Sequence, residues 1–313
     1  MTRRIAALAT ALLLLAAAPA VADVEADINA AYAAADAGDL GEARRLLDII
    51  IASGDLTPDR QAVMLEARGV ILVLLKQPAA AVEDLTAALA IAPTYTDALY
   101  NRGLAYNDLG RYEAAIADFK DVLALEPTAI DALQRLADAY VAAGRPQEAV
   151  AVYDRAMALQ PDDGLLVYGR AEVLYASGDL TGAIVDYSTA ITLLGEEPAL
   201  YIARGDARTD AGDFDNALLD YNHALSLSPR SAAVYRSRAY MFGKQGFLEF
   251  AIQDYDQAID LDPDSGWTYF ARGQAHAAAG HVEEANADFM QAYAMGVEST
   301  QLDERLRAMG VIE

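Results

Sequence analysis

Apolar and small positions return along this chain with a helical period that is interrupted at a fixed interval. Between 96 and 129, Leu99, Gly103 and Tyr106 fall at helical spacing. Gly110 ends that run, and a second one carrying Ala115, Phe119 and Val122 follows it. The arrangement then repeats. Gly110, Gly144, Gly178, Gly212, Gly246 and Gly280 stand 34 residues apart, and Ala115, Ala149, Ala183, Ala217, Ala251 and Ala285 keep the same step. An aromatic comes four residues after each alanine: Phe119, Tyr153, Tyr187, Tyr221, Tyr255 and Phe289. Pro93, Pro127, Pro161, Pro229 and Pro263 close most units.

Each unit therefore predicts two helices. The glycine ends the first in a left-handed conformation, and the proline stops the second because its ring cannot continue a helix interior. Seven contiguous repeats are expected at 62–95, 96–129, 130–163, 164–197, 198–231, 232–265 and 266–299. A degenerate unit at 23–61 precedes them, and it lacks aromatics where Ala34 and Leu47 stand. In 300–313, Leu302, Leu306 and Met309 make a helical stripe ended by Gly310, which predicts a helix covering the last repeat. One helical hairpin cannot bury its apolar face alone, so the repeats must stack into a solenoid. In 164–197 the closing residue is Gly195 instead of Pro, and Pro198 begins the following repeat; a kink is expected there.

An arginine recurs on the packed side of the first helix, at Arg68, Arg102, Arg170, Arg204, Arg238 and Arg272. Sixteen residues later stand Asp84, Asp118, Asp186, Asp220, Asp254 and Asp288. The repeat 130–163 has Leu136 and Val152 at these two places, losing both charges together. Independent surface charges would not vanish as a pair, so each Arg is expected to meet the Asp of its own repeat. A guanidinium bonds a carboxylate through two parallel donors and suits a partly buried site.

The R-G-x-A of 102–105 and the A-I-x-D-Y of 251–255 belong to a pattern that covers almost the whole chain after residue 23. The chain resembles the tetratricopeptide repeat (TPR) family in this exported bacterial variant. The resemblance implies an all-α, right-handed superhelical solenoid of about eight helix-turn-helix repeats, with a degenerate N-terminal cap and a C-terminal capping helix. It also implies a protein-interaction scaffold or adaptor whose concave groove, lined by the first helices, holds a segment of a partner. The groove positions carry Tyr100, Asp131, Asp138, Tyr168, Glu172, Tyr175, Asp206, Asp210, Tyr240, Trp267 and Phe270, with Glu66 as a further acid. Arg236 and Lys244 are the cations there. The Lys, Arg and Asn clamp with which one subclass of the family holds chaperone tails is missing.

Charge narrows the partner. Arg3 and Arg4, an apolar run from Ile5 to Ala18, and Ala20-Val21-Ala22 read as a secretory signal cut after Ala22. The run is short for a membrane span, so a periplasmic protein without stable membrane insertion is expected. Without that leader the chain has 21 basic and 47 acidic side chains, a formal charge of −26. Such a balance disfavours nucleic acid and anionic lipid, and favours a basic protein or peptide partner. The absence of Cys excludes disulfides, leaving burial to stabilise the fold.

No chemistry is expected. His276 and His281 do not share a helix face, and no pair among His223, His276 and His281 has metal-ligand spacing with a third donor. Asp260–Gly266 has the look of a calcium loop, but Ser265 and Ala271 stand where that loop needs Gly and Glu. No nucleophile, acid–base pair or phosphate-cradling loop can be assembled, so neither an enzyme nor a cofactor or metal is expected. A small ligand or cation held in the acidic, aromatic groove remains the alternative to a protein partner.

Overall fold

A computed structural model describes residues 22–312, with side chains from residue 24. The leader expectation for 1–22 lies outside the described residues except at Ala22, where the first helix begins. The described residues contain seventeen helices and no strand. No helix among them is long and apolar enough to cross a membrane.

Consecutive helices pair into hairpins: α1 (Ala22–Asp36) with α2 (Leu40–Ala52), α3 (Pro58–Leu74) with α4 (Pro78–Ile91), α5 (Thr96–Asp108) with α6 (Tyr112–Leu125), and α7 (Ile130–Ala142) with α8 (Pro146–Leu159). The series continues with α9 (Gly164–Ala176) and α10 (Leu180–Leu194), α11 (Pro198–Asp210) and α12 (Phe214–Leu227), α13 (Ala232–Gln245) and α14 (Leu248–Leu261), and α15 (Gly266–Ala279) and α16 (Val282–Ala294). Helix α17 (Thr300–Ala308) ends it. The chain divides into two compact halves after Pro161.

Each hairpin turns where the sequence places its glycine. Gly110, Gly144, Gly178, Gly212, Gly246 and Gly280 have φ between 70° and 87°. At the equivalent place between α3 and α4, Lys76 adopts φ 60°, and no other non-glycine residue among those described has a positive φ. Small residues let the two helices of a hairpin approach. Ala81, Ala115, Ala149, Ala183, Ala217 and Ala251 are completely buried on the second helices. Gly103 faces the Phe119 ring so closely that a Cβ there would lie 2.8 Å from a ring carbon.

The N-terminal half holds α1–α8. Ile28, Ala31, Leu47 and Ile50 of the first hairpin pack on Met64, Ala67 and Ile71 of α3, and Arg60 bonds Glu25 across the same junction. In the C-terminal half, α17 buries Leu302 and Leu306 against Phe270, Phe289, Ala292 and Val297. Two fully buried leucines stabilise that contact by about 1.5–3 kcal/mol each. The loss of Pro at 195 lets α10 run to Leu194, one residue longer than α12 or α14, before Gly195 turns at φ 93°. Helices α10 and α11 then pack as other successive hairpins do, and the division of the chain falls after Pro161, not at Gly195.

Candidate functional site

The six arginines sit where first and second helices meet. Arg102 donates from Nε to Asp118 Oδ2 at 2.9 Å and from Nη2 to Oδ1 at 2.7 Å. The same two-pronged bond joins Arg68 to Asp84, Arg170 to Asp186, Arg204 to Asp220, Arg238 to Asp254 and Arg272 to Asp288, at 2.6–3.0 Å. The aspartates are buried, and each Arg side chain keeps between 15 and 25% of its surface in water. Bonding to the carboxylate raises the pKa of Arg102, Arg238 and Arg272.

The third nitrogen has a second task that sequence reasoning missed. Nη1 reaches back to the second helix of the preceding hairpin: Arg68 to Asp48 at 2.8 Å, Arg102 to Thr86 at 3.3 Å, Arg204 to Ser188 at 3.1 Å, Arg238 to Asn222 at 2.7 Å and Arg272 to Asp256 at 2.6 Å. One guanidinium thus ties three helices. Leu136 takes no part, and the residue in the preceding acceptor place is Lys120, whose ammonium lies 5.4 Å from the Tyr140 ring. These charges are architecture.

The first helices of successive hairpins touch one another within each half, α3 with α5 and α5 with α7, then α11 with α13 and α13 with α15. They form a continuous face over α3, α5 and α7 in one half and over α11, α13 and α15 in the other. In the N-terminal half, Tyr100 packs its ring on the edge of Phe119, and Arg135 bonds both the Tyr100 hydroxyl and Asp138, the latter at 3.0 Å. Asp131 lies half-buried in the first turn of α7. Glu66, an expected groove acid, is instead buried beneath the face, accepting from Asn101 Nδ2 at 2.8 Å and from Tyr95. Burial, and then the charge of Asp97, push its carboxyl up to about 8.

The C-terminal half carries the densest part of the face. Tyr187, buried on α10, sends its hydroxyl through the hairpin to donate to Glu172 Oε1 on α9. Tyr221 on α12 does the same to Asp206 Oδ1 on α11 at 2.7 Å. Tyr175 donates to Asp210 at 2.7 Å, and Lys244 donates to the other Asp210 oxygen at 2.9 Å while lying 5.4 Å from the Tyr240 ring. Burial is the largest cause raising Asp206, with the Asp210 and Glu172 charges adding to it. Tyr168 stacks at a tilt against Tyr187, ring centres 5.9 Å apart. Between α9 and α11 these groups enclose an open cleft of about 260 Å³, lined by Tyr168, Glu172, Tyr175, Tyr187, Ile202 and Asp206.

Further along the face Tyr240 and Trp267 stand 51 and 59% exposed. Phe270 must be corrected: it is 6% exposed and packs on Phe289, because α17 closes over this end of the half and draws it into the core. Arg236 bonds Asp262 at 3.1 Å, so its charge is used locally. The face is accordingly less a bare acidic stripe than a set of carboxylates in which Asp138, Glu172, Asp206 and Asp210 each already hold at least one neutral or cationic donor. A signal for the Tyr187 and Tyr221 contacts does exist in the sequence. Tyr153, Tyr187 and Tyr221 each follow an acid fifteen residues earlier, whereas Leu85 and Phe119 follow Val70 and Leu104.

Two of the histidines meet across a turn. His276 Nδ1 and His281 Nδ1 are 3.2 Å apart, because the left-handed Gly280 turn folds the chain back between them. They make one hydrogen bond, and among the described residues no group of three metal-ligating side chains forms.

Three family models of the tetratricopeptide repeat match the chain at 28–96 and 75–130, at 106–168 and 140–185, and at 205–246 and 240–280. A tetratricopeptide repeat protein from Parabacteroides merdae is similar in structure, with TM-score 0.61 and 21% identity over 80% of this chain and 98% of its own. Yeast Tom70 is similar with TM-score 0.53 and 19% identity over 87% of this chain and 57% of its own. The Cut9–Hcn1 hetero-tetramer contains a chain that matches with TM-score 0.50 and 19% identity, over 74% of this chain and 46% of its own. No curated protein matches in sequence. With repeat models matching most of its length and the same helical hairpins in its structural relatives, the chain belongs to the tetratricopeptide repeat family.

Proposed function

We propose that this protein is an exported, periplasmic interaction scaffold that holds a basic segment of a partner on the face made by its first helices. The observation that carries the reading is the face of the C-terminal half. Exposed Tyr240 and Trp267 stand on the same series of first helices as Glu172, Asp206 and Asp210. Aromatic side chains anchor interfaces with little entropy loss, and Arg or Lys can stack on their rings while meeting carboxylates. The whole chain carries a formal charge of −24, which steers basic partners toward it. The fold supports the class of function: tetratricopeptide repeats serve other proteins as docking surfaces, and Cut9 stands in a complex with Hcn1.

The test immobilises the protein and captures partners from the envelope extract of the bacterium that makes it, with cross-linking to map the bound segment. A basic segment cross-linked to α9–α15 is expected. It should be released as salt rises from 0.1 to 1 M, since the Debye length falls from about 10 Å to about 3 Å. An acidic docking segment, or retention indifferent to salt, refutes the reading. A reporter fused after residue 22 tests export separately.

A second reading, a small cation held in the cleft, draws on the Glu172–Asp206 pair there. Saturable binding of a small amine with no polypeptide retained would favour it.

A further inference from the structure

The cleft between α9 and α11 has an unusual balance. Two carboxylates, Glu172 and Asp206, and three tyrosine rings line it, and no Lys or Arg does. The nearest ammonium, Lys244, is committed to Asp210 and to the Tyr240 ring.

The protein shows elsewhere how such a set is completed. Arg204 bonds Asp220 with its carbon 5.4 Å from the Tyr201 ring centre. Arg238 lies between Asp254 and Tyr235, at 5.6 Å, and Arg272 between Asp288 and Tyr269, at 5.5 Å. Carboxylate plus tyrosine ring is this chain's recurrent seat for a guanidinium. The cleft presents the same two components to solvent with the cation missing.

We propose that the cleft is a socket for one arginine side chain of the partner polypeptide, an inference that rests on the scaffold reading and specifies its contact. The apolar wall of Ile202 and the tyrosine rings suits the three-carbon stem, and the carboxylates suit the planar head. A guanidinium is more weakly hydrated than an ammonium and stacks on aromatic faces, so it loses less on entering such a site. Seating it would also relieve the mutual repulsion of Glu172 and Asp206, which helps to hold the Asp206 carboxyl above its ordinary range.

The experiment uses the full chain at 0.15 M salt and three capped Gly/Ser decapeptides that differ at one residue: Arg, Lys or citrulline. Citrulline keeps the shape of Arg and removes its charge. Dissociation constants come from chemical-shift titration. The Arg peptide should bind several-fold tighter than the Lys peptide, and the citrulline peptide at least tenfold weaker than Arg. Glu172→Gln should weaken the Arg peptide about tenfold, while its amide oxygen can still accept from Tyr187; near-UV circular dichroism checks that the fold is kept. Glu298→Gln, an exposed change of equal charge in the same half, should leave the constant unaltered. Equal binding of Arg and citrulline peptides overturns the socket, as does equal weakening by the two Glu→Gln changes. If either occurs while the natural partner is still retained by the wild-type protein, the socket falls and the scaffold stands.

Discussion

The Arg102–Asp118 contact allows a sharp test of how this fold tolerates charge. Asp118 is 3% exposed, and the Arg102 side chain keeps 19% of its surface in water. Asp118→Ala removes both strong bonds and leaves the guanidinium with the long Thr86 contact and the Tyr106 ring at 5.8 Å. Breaking one side of a buried pair costs about 3–5 kcal/mol. Because Arg102 retains some water, roughly 2–3 kcal/mol is expected here. Arg102→Leu should be worse, since it strands a more deeply buried carboxylate. The double change Arg102→Leu with Asp118→Val copies the Leu136 and Val152 of the next repeat. It replaces the pair with apolar contact and should fall within about 1 kcal/mol of the wild type. The assay is urea unfolding followed by far-ultraviolet circular dichroism, with hydrogen exchange in α5 and α6 as the local readout. If the double variant is as unstable as the sum of the two singles, the pair is not the closed unit described here and the reasoning fails.

Three further predictions follow from other parts of the structure. Glu66 holds its proton to about pH 8 when folded, against an ordinary value of 4.5, so the unfolded chain releases it first. Stability should therefore fall as pH rises from about 4.5 to about 8 and then level, whereas Glu66→Gln flattens the profile and is the more stable form at pH 8.5 by roughly 3–5 kcal/mol; a parallel slope in both proteins would refute it. Lys76→Gly places at φ 60° the residue that fits that region and should stabilise the α3–α4 hairpin by about 1 kcal/mol, read by denaturation midpoint. Leu306→Ala, at a completely buried site, should cost about 2–5 kcal/mol, with faster hydrogen exchange concentrated in α15–α17.

The fold was legible because stacking forces one solution on every repeat. The glycine at most turns, the alanine at the close approaches and the charged pair across six of the hairpins recur at fixed intervals, so one repeat explains the others. The candidate face was legible only as far as residue types. Periodicity places Glu172 and Asp206 on the first helices, but does not say that Tyr187 and Tyr221 reach through to hold them. The ring packs on the first helix whether or not it bears a hydroxyl, as Phe119 does on Gly103 and Tyr221 on Gly205. Phe270 was misplaced for a different reason: it occupies a groove position in a repeat whose open end α17 covers. Glu66 fails the pattern because Tyr95 and Asn101 from α5 and its approach close over it.

The third bond that five of the arginines make bears on how such a chain can change its length. Repeats of equal size invite in-frame loss or duplication, but this stack is keyed at its seams. At five junctions an acceptor on one side receives the guanidinium on the other. Removing 232–265 would set Asn222 before Arg272, a workable match, because Asn222 already serves Arg238. Removing 130–163 would set Lys120 before Arg170, cation against cation in place of a hydrogen bond. Shortened forms of the first kind should therefore keep the seam bond, and those of the second kind should be less stable unless Lys120 is exchanged for Thr or Asp. The copy number of these repeats is free only where neighbours carry matching keys, and the one apolar repeat acts as an adapter that fits a lysine on its upstream side.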